Sequence, residues 1–340
     1  MNDRIYSTWT RRQVLERLSV AGCAGVFGLG TRPAAAEPPP ETTRIRLVKI
    51  PGLCLAPQYV AEELLRIEGF TDIQYVSIPE GGVGVYPRLG KGDIDITQWF
   101  AAPFVREVDR GAPILFLSGV HVGCFELIVT ESVRTVSDLK GKTLAVPWFG
   151  GGPQTFIATI LSYVGLDPND VNYVVRKGSE TPQLLASGEV DAYLGFPPMP
   201  QLLRAKGIGR VIFNSAEDPP WSNFFCCLVA GNREFVNKNP VATKRALRAI
   251  LKADRICAEQ PALAAQSMVD RGFIGDYEIA LQSLRDVPYG RWRELDPEDT
   301  VRFYALRLRD VGLIKNTPKT IIAQGTDWRF LNELRRELKV

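Results

Sequence analysis

Histidine is almost absent from this chain: His121 is the only one in 340 residues. A metal centre built from several imidazoles is thereby excluded, and a single histidine past a strand reads first as a satisfied structural residue. Cysteine is sparse and never spaced as CxxC. With Cys23 set aside near the N-terminus, Cys54, Cys124, Cys226, Cys227 and Cys257 remain, an odd set that leaves at least one thiol unpaired unless it bonds another chain. This is no disulfide scaffold. HExxH, the nucleophile elbow and GxxxxGK[ST] are all missing, so hydrolase and P-loop chemistry have no motif to rest on, although carboxylates could act without one. No apolar run approaches the ~20 residues of a membrane helix. Internal repeats are lacking too, as is any low-complexity tract beyond Pro38-Pro39-Pro40.

The start of the chain has the layout of an export signal. Thr10-Arg11-Arg12-Gln13-Val14-Leu15 is followed by a glycine-rich, weakly apolar stretch from Leu18 to Leu29, and Ala34-Ala35-Ala36 closes it. This is the arrangement of a twin-arginine signal over residues 1–36. Gly22, Gly25, Gly28 and Gly30 would make a poor interior for an amphipathic helix. Cys23 in Val20-Ala21-Gly22-Cys23 resembles a lipoprotein box, but Glu16 and Arg17 shorten the apolar run before it. The expectation is cleavage near Glu37 and a periplasmic protein, with lipidation at Cys23 as the lesser alternative. Removing residues 1–36 takes away five basic and two acidic side chains and leaves 36 of each sign, a formal charge of zero. Such a balance gives nucleic acid no basic surface. Arg335-Arg336 sit among Glu333 and Glu337, as on a solvated helix face.

About 300 mature residues exceed a usual single core and suggest two domains. From Arg44 onward, short apolar strands alternate with helical stretches, the pattern of parallel sheets covered by helices. Strands are expected at about Arg44–Ile50, Ile73–Ile78, Asp93–Thr97, Ile114–Gly119 and Phe125–Thr130, with a helix over Ala56–Ile67. The pattern restarts at Val136, with strands Thr143–Val146, Val171–Val175 and Ala192–Gly195 and helices Thr155–Val164 and Thr181–Ser187, and ends near Val211–Asn214. Strand Phe224–Ala230 then returns to the first unit, and five helices follow from Pro240 to Leu338. This predicts lobe 1 from residues 42–130 and 224–340, lobe 2 from residues 131–223, and a cleft between them that closes on a ligand.

Three segments in order, Gly92-Asp93-Ile94-Asp95-Ile96, Val136-Ser137-Asp138-Leu139-Lys140-Gly141-Lys142-Thr143-Leu144-Ala145-Val146 and Leu184-Leu185-Ala186-Ser187-Gly188-Glu189-Val190-Asp191-Ala192-Tyr193, carry a resemblance. Across nearly the whole mature chain the sequence resembles periplasmic solute-binding proteins of ABC importers, in the nitrate, sulfonate and taurine group that includes binders of thiamine-pyrimidine precursors. The resemblance implies a two-lobed, type II-like periplasmic-binding-protein fold of the α/β class. It also implies a small-molecule ligand, ABC permease and ATPase partners, a monomer, and neither cofactor nor catalysis. The alternative on the same fold is a thiamine-pyrimidine-synthase-like enzyme. Phe225-Cys226-Cys227-Leu228 does not reproduce the cysteine-rich iron motif of those enzymes, and they are not normally exported. A periplasmic sensor partner would use the same cleft.

In open α/β sheets ligands bind beyond the carboxyl ends of the strands, so the loops there supply the candidates. Cys54 lies in the first, Glu80 in the second, and Gln98, Trp99 and Phe100 follow the third strand, where the resembled family carries ligand contacts. His121 follows the fourth. Trp148 and Phe149 occupy the equivalent place in the second lobe, and two aromatic pairs at matching strand ends suit a planar or apolar ligand. Gly150, Gly151 and Gln154 open a helix whose free N–H groups would receive an anion. Phe196 ends the list. No arginine stands in these loops.

Overall fold

Three sheets carry the architecture. In the computed structural model, which describes residues 37–79, 82 and 84–338, β1 (Arg44–Lys49) and β2 (Asp72–Ser77) form a parallel pair. A three-stranded sheet has the order β3-β10-β4, from β3 (Ile96–Phe100), β4 (Ile114–Gly119) and β10 (Cys227–Asn232). A five-stranded sheet has the order β7-β6-β8-β5-β9, built from β5 (Glu126–Val129), β6 (Thr143–Val146), β7 (Asn172–Val175), β8 (Ala192–Gly195) and β9 (Arg210–Asn214). The expected export signal, with Arg11, Arg12 and Cys23, lies outside the described residues. Among the described residues no helix is long and apolar enough to cross a membrane.

The sheets are mixed rather than uniformly parallel. β6 runs parallel to β7 and β8, but β5 is antiparallel to β8 and β9, and β10 is antiparallel to β3 and β4. The physical reason is the route of the chain. It leaves β4 directly for the five-stranded sheet at β5 and returns from β9 to β10, and a strand entering from another sheet need not make the helical crossover that parallel neighbours require.

The two crossing segments lie side by side. Ser215 Oγ accepts from the N–H groups of Cys124 and Phe125 at 3.1 and 2.9 Å, and Cys226 N–H donates to the His121 carbonyl at 2.9 Å. Gly123, at φ +44°, lets them touch, since a Cβ there would stand 2.2 Å from Ala216 Cα.

Two boundaries differ from expectation in ways that matter for the site. β3 begins at Ile96, not Asp93, because Gly92 (φ +80°) caps the helix Val85–Lys91 and the Asp95 carboxylate is taken by Arg46, whose backbone N–H donates to it at 2.7 Å. Gln98, Trp99 and Phe100 are therefore inside the strand rather than in the loop beyond it. The helix expected from Thr155 begins at Gly152. Pro153 fits its first turn, where a missing N–H costs nothing, and Gly151 is the extended N-cap.

Candidate functional site

A small cavity lies where the two larger sheets meet, lined by Cys54, Trp99, Phe100, Cys124, Phe125, Gly152, Pro153, Phe196 and Cys227. β3 and β10 bring Trp99, Phe100 and Cys227, and the turn Leu53–Leu55 after β1 brings Cys54. Phe125 precedes β5, Phe196 follows β8, and Gly152 and Pro153 open the helix Gly152–Tyr163. The walls are edge-packed rings: Trp99 to Phe196 at 5.6 Å and 84°, Phe125 to Phe196 at 5.7 Å, and Phe100 to Phe125 at 4.8 Å. The Leu53 N–H donates to the Pro197 carbonyl at 3.0 Å, which closes one rim. The volume is about 10 Å³, room for a single water. A ligand of several heavy atoms enters only if the walls part.

The sheet ladders explain why these side chains converge. Cys227 pairs with Phe100 and Leu228 with Trp99 across β10 and β3, so the start of one strand and the end of the other face the cavity together. Beneath them, Gln58 locks the strand end: its Oε1 accepts from Gln98 N–H at 3.1 Å while its Nε2 donates to Val48 O at 2.7 Å. Gly82 (φ +81°) packs on the Trp99 indole, where a Cβ would come within 2.5 Å. Among the described residues, Trp99 Nε1 and Tyr86 Oη are buried without a hydrogen-bond partner of good geometry. Burial pushes the thiols of Cys54, Cys124, Cys226 and Cys227 up, which keeps them protonated.

Of the candidates from sequence, Cys54, Trp99, Phe100 and Phe196 line the cavity together. Gln98 is buried behind it, its Nε2 donating to the Cys54 carbonyl and its Oε1 without a partner among the described residues. His121 is fully buried at the crossing point, edge-on to Tyr289 at 5.3 Å, and burial pushes its pKa down. Trp148 is half-buried with its ring over Gly151, and Phe149 is 62% exposed with an edge contact to Tyr173. Neither ring is a cavity wall; Phe125 and Phe196 occupy that side instead. Gly150 and Gln154 bond each other, Gly150 N–H to Gln154 Oε1 at 3.1 Å. Gly151 caps the helix, and Glu80 lies outside the described residues.

Sequence reasoning missed Cys124, Phe125, Gly152, Pro153 and Cys227 as walls. It also missed Arg106. No arginine lies in the strand-end loops, but Arg106, on the helix Ala101–Asp109, reaches the glycine loop from outside: its Nη2 donates to the Gly150 carbonyl and its Nη1 to Thr155 Oγ1 at 3.4 Å. The readable signal was an arginine on the apolar face of a helix that follows a strand directly.

The NMT1-like family model matches residues 38–269. The chain belongs to the NMT1-like family. No curated protein matches it. Among solved structures it is similar to the periplasmic nitrate-binding protein NrtA from Synechocystis PCC 6803, with 16% identity over 88% of this chain and 90% of that one and a TM-score of 0.74. It is likewise similar to the alkanesulfonate-binding protein SsuA from Xanthomonas axonopodis pv. citri, determined with MOPS bound, with 19% identity over 86% of this chain and all of the other and a TM-score of 0.70. A Candida albicans protein described as having the generic periplasmic binding protein fold matches with 15% identity, 84% and 96% coverage and a TM-score of 0.67. The fold of this NMT1-like chain is thus the two-lobed, type II-like periplasmic-binding-protein fold. NrtA and SsuA are described as binding proteins.

Proposed function

We propose that this NMT1-like protein is the extracytoplasmic solute-binding subunit of an ABC importer, exported by the twin-arginine route, which captures a small molecule by lobe closure and hands it on unchanged. The three-stranded sheet and the C-terminal helices form one lobe, and the five-stranded sheet forms the other. The observation that carries the reading is the cavity itself: it is walled from both sheets and has room for about one water, which fits binding coupled to opening. Its aromatic walls suit a planar or apolar body. Trp99 Nε1, on a lining residue, Tyr86 Oη, behind the lining beside Gly152, and the first N–H groups of the helix Gly152–Tyr163 would become donors to a carboxylate, sulfonate or similar acceptor-rich head once the walls part.

A thermal-shift screen of alkanesulfonates, nitrate, aromatic carboxylates and pyrimidines tests this. At a hundredfold excess over Kd a native-state ligand adds about 2.7 kcal/mol and raises Tm by several degrees. The stabilising compound should be recovered intact, and Trp99→Ala should weaken its binding with the fold preserved. Repeated turnover of the compound would assign an enzyme instead.

A further inference from the structure

Four side chains meet at the crossing point with no role in solute capture that depends on their being together. His121 follows β4, Cys124 stands before β5, Cys226 immediately precedes β10 and Cys227 opens it. One ring nitrogen of His121 and the three Sγ atoms all lie within 4.8 Å of one another, and Cys124 Sγ is 3.0 Å from Cys226 Sγ. The four residues are between 0% and 6% exposed. His121 Nδ1 sits 3.2 Å from the carbonyls of both Val122 and Gly123, so as Nδ1–H it is held by backbone. Nε2 then carries the lone pair; it is buried and, among the described residues, has no hydrogen bond of good geometry, although the Cys54 carbonyl also bears on the imidazole. A backbone carbonyl fixing one imidazole nitrogen so that the other is free to ligate is the usual support of a metal-binding histidine.

We propose that His121, Cys124, Cys226 and Cys227 form a tetrahedral site for a soft divalent cation, zinc(II). Three sulfurs and one imidazole nitrogen suit zinc and exclude magnesium and calcium, which take oxygen. Zn–S bonds of about 2.3 Å put tetrahedral ligand atoms about 3.8 Å apart. The present cluster reaches that by drawing its outer members in by about 1 Å and easing Cys124 and Cys226 apart. Binding exchanges three thiol protons for one Zn²⁺ and leaves a complex of charge −1, with no change of oxidation state. Cys124 and Cys227 also face the cavity, so parting its walls opens a path for the ion. The metal would fasten the outgoing and returning crossings to each other, at the place where the two lobes must pivot. Zinc binding at this cluster is independent of the identity of any solute, and solute binding can be measured separately.

The test is titration of the purified, reduced and chelator-stripped chain with zinc chloride against a chromophoric chelator. One equivalent is expected, with affinity reduced on the order of 100-fold or more in Cys124→Ala and in Cys226→Ala and unchanged in Cys257→Ala, whose thiol lies elsewhere in the core. Because alanine at a buried cysteine can cost stability, cobalt(II) loading of the unaltered protein supplies an independent reading: tetrahedral d–d bands and strong thiolate-to-cobalt charge transfer are expected. A fully reduced protein that binds no zinc, a Cys124→Ala variant that binds as well as the parent, or a cobalt spectrum without thiolate charge transfer would each overturn the site.

Discussion

The two sheets that meet at the cavity are built to different standards of burial. Every residue of β3, β4 and β10 is buried. In the five-stranded sheet β7 and β9 are mostly half-buried or exposed, and Val175 and Val211 stand open to solvent. The difference comes from what covers them. The helices after β10 wrap the three-stranded side: Pro297–Asp310 packs on Ala101–Asp109, Asp327 N–H donates to Phe116 O at 2.9 Å, and Thr326 bridges to Phe116. The outer face of the five-stranded sheet has only a satellite core of Ile128, Ala145, Leu185, Val190, Tyr193 and Leu203. A heavy half and a light half sharing one interface is a division of labour suited to closure. Under the proposed lobe closure, the light half would be the one to move, while the heavy half holds Trp99 and Phe100 in place.

The sharpest way to break this comparison is a matched pair of truncations. Phe116→Ala, in the fully buried β4, should cost about 3–5 kcal/mol in denaturant unfolding. Val211→Ala, in β9, should stay within about 0.5 kcal/mol. Comparable losses at the two positions would mean that the sheets are equally supported.

Much of both halves was legible from the sequence, and the reasons are local. Ile114–Gly119, Thr143–Val146, Ala192–Gly195 and Tyr277–Asp286 are apolar runs or amphipathic stretches between clear breakers, and the structure places them at the expected bounds. The helix Pro318–Gly325 escaped, although Thr317 before Pro318 was a readable start: its Oγ1 accepts from Thr320 N–H at 3.2 Å. The cavity was only partly legible, because its walls depend on which strands cross between sheets. Cys124 and Cys226 are 102 positions apart and touch only because β5 and β10 are antiparallel insertions. A search by spacing, which found no paired-cysteine motif, had no means of seeing them.

Two buried carboxylates give a second, smaller contrast. Glu126, in the light half, is paired with Arg204. Asp254, on the helix Pro240–Glu259 of the heavy half, accepts from Gly290 N–H at 2.8 Å, and its Oδ1 has no partner among the described residues. Burial pushes the Asp254 carboxyl up from 3.8 to about 7. The folded state therefore holds its proton more tightly than the unfolded chain does. This contribution to stability is complete below about pH 4, falls as pH rises toward 7 and is then flat. His121, lowered by burial, acts with the opposite sign, so the comparison must be between protein and variant. With a chelator present, Asp254→Asn should match the parent near pH 4 and exceed it above pH 7 by a few kcal/mol, roughly 4 at most. A difference that does not change with pH would show that the carboxyl ionises freely.

The smallest expected effect concerns the contact that ties the light half to the heavy one. Arg204, on the helix Met199–Ala205, pairs with Glu126 in its own sheet and reaches across to Asp286 at the end of the helix Tyr277–Asp286, where Gln201 Nε2 also donates at 3.0 Å. If the light half swings away when the cavity opens, the bonds to Asp286 break and those to Glu126 persist. The bridge would then favour the closed state alone. Arg204 and Asp286 remain 37% and 24% exposed, so solvent screens the pair and it is worth about 0.2–1 kcal/mol. Asp286→Asn should accordingly weaken the affinity for whichever screened compound stabilises the protein by about 1.5- to 5-fold, through faster release, with the loss shrinking at high salt. Unfolding of the ligand-free protein should barely change. An unaltered Kd at low salt would mean that the bridge survives opening, and that the boundary of the moving half lies elsewhere than between Arg204 and Asp286.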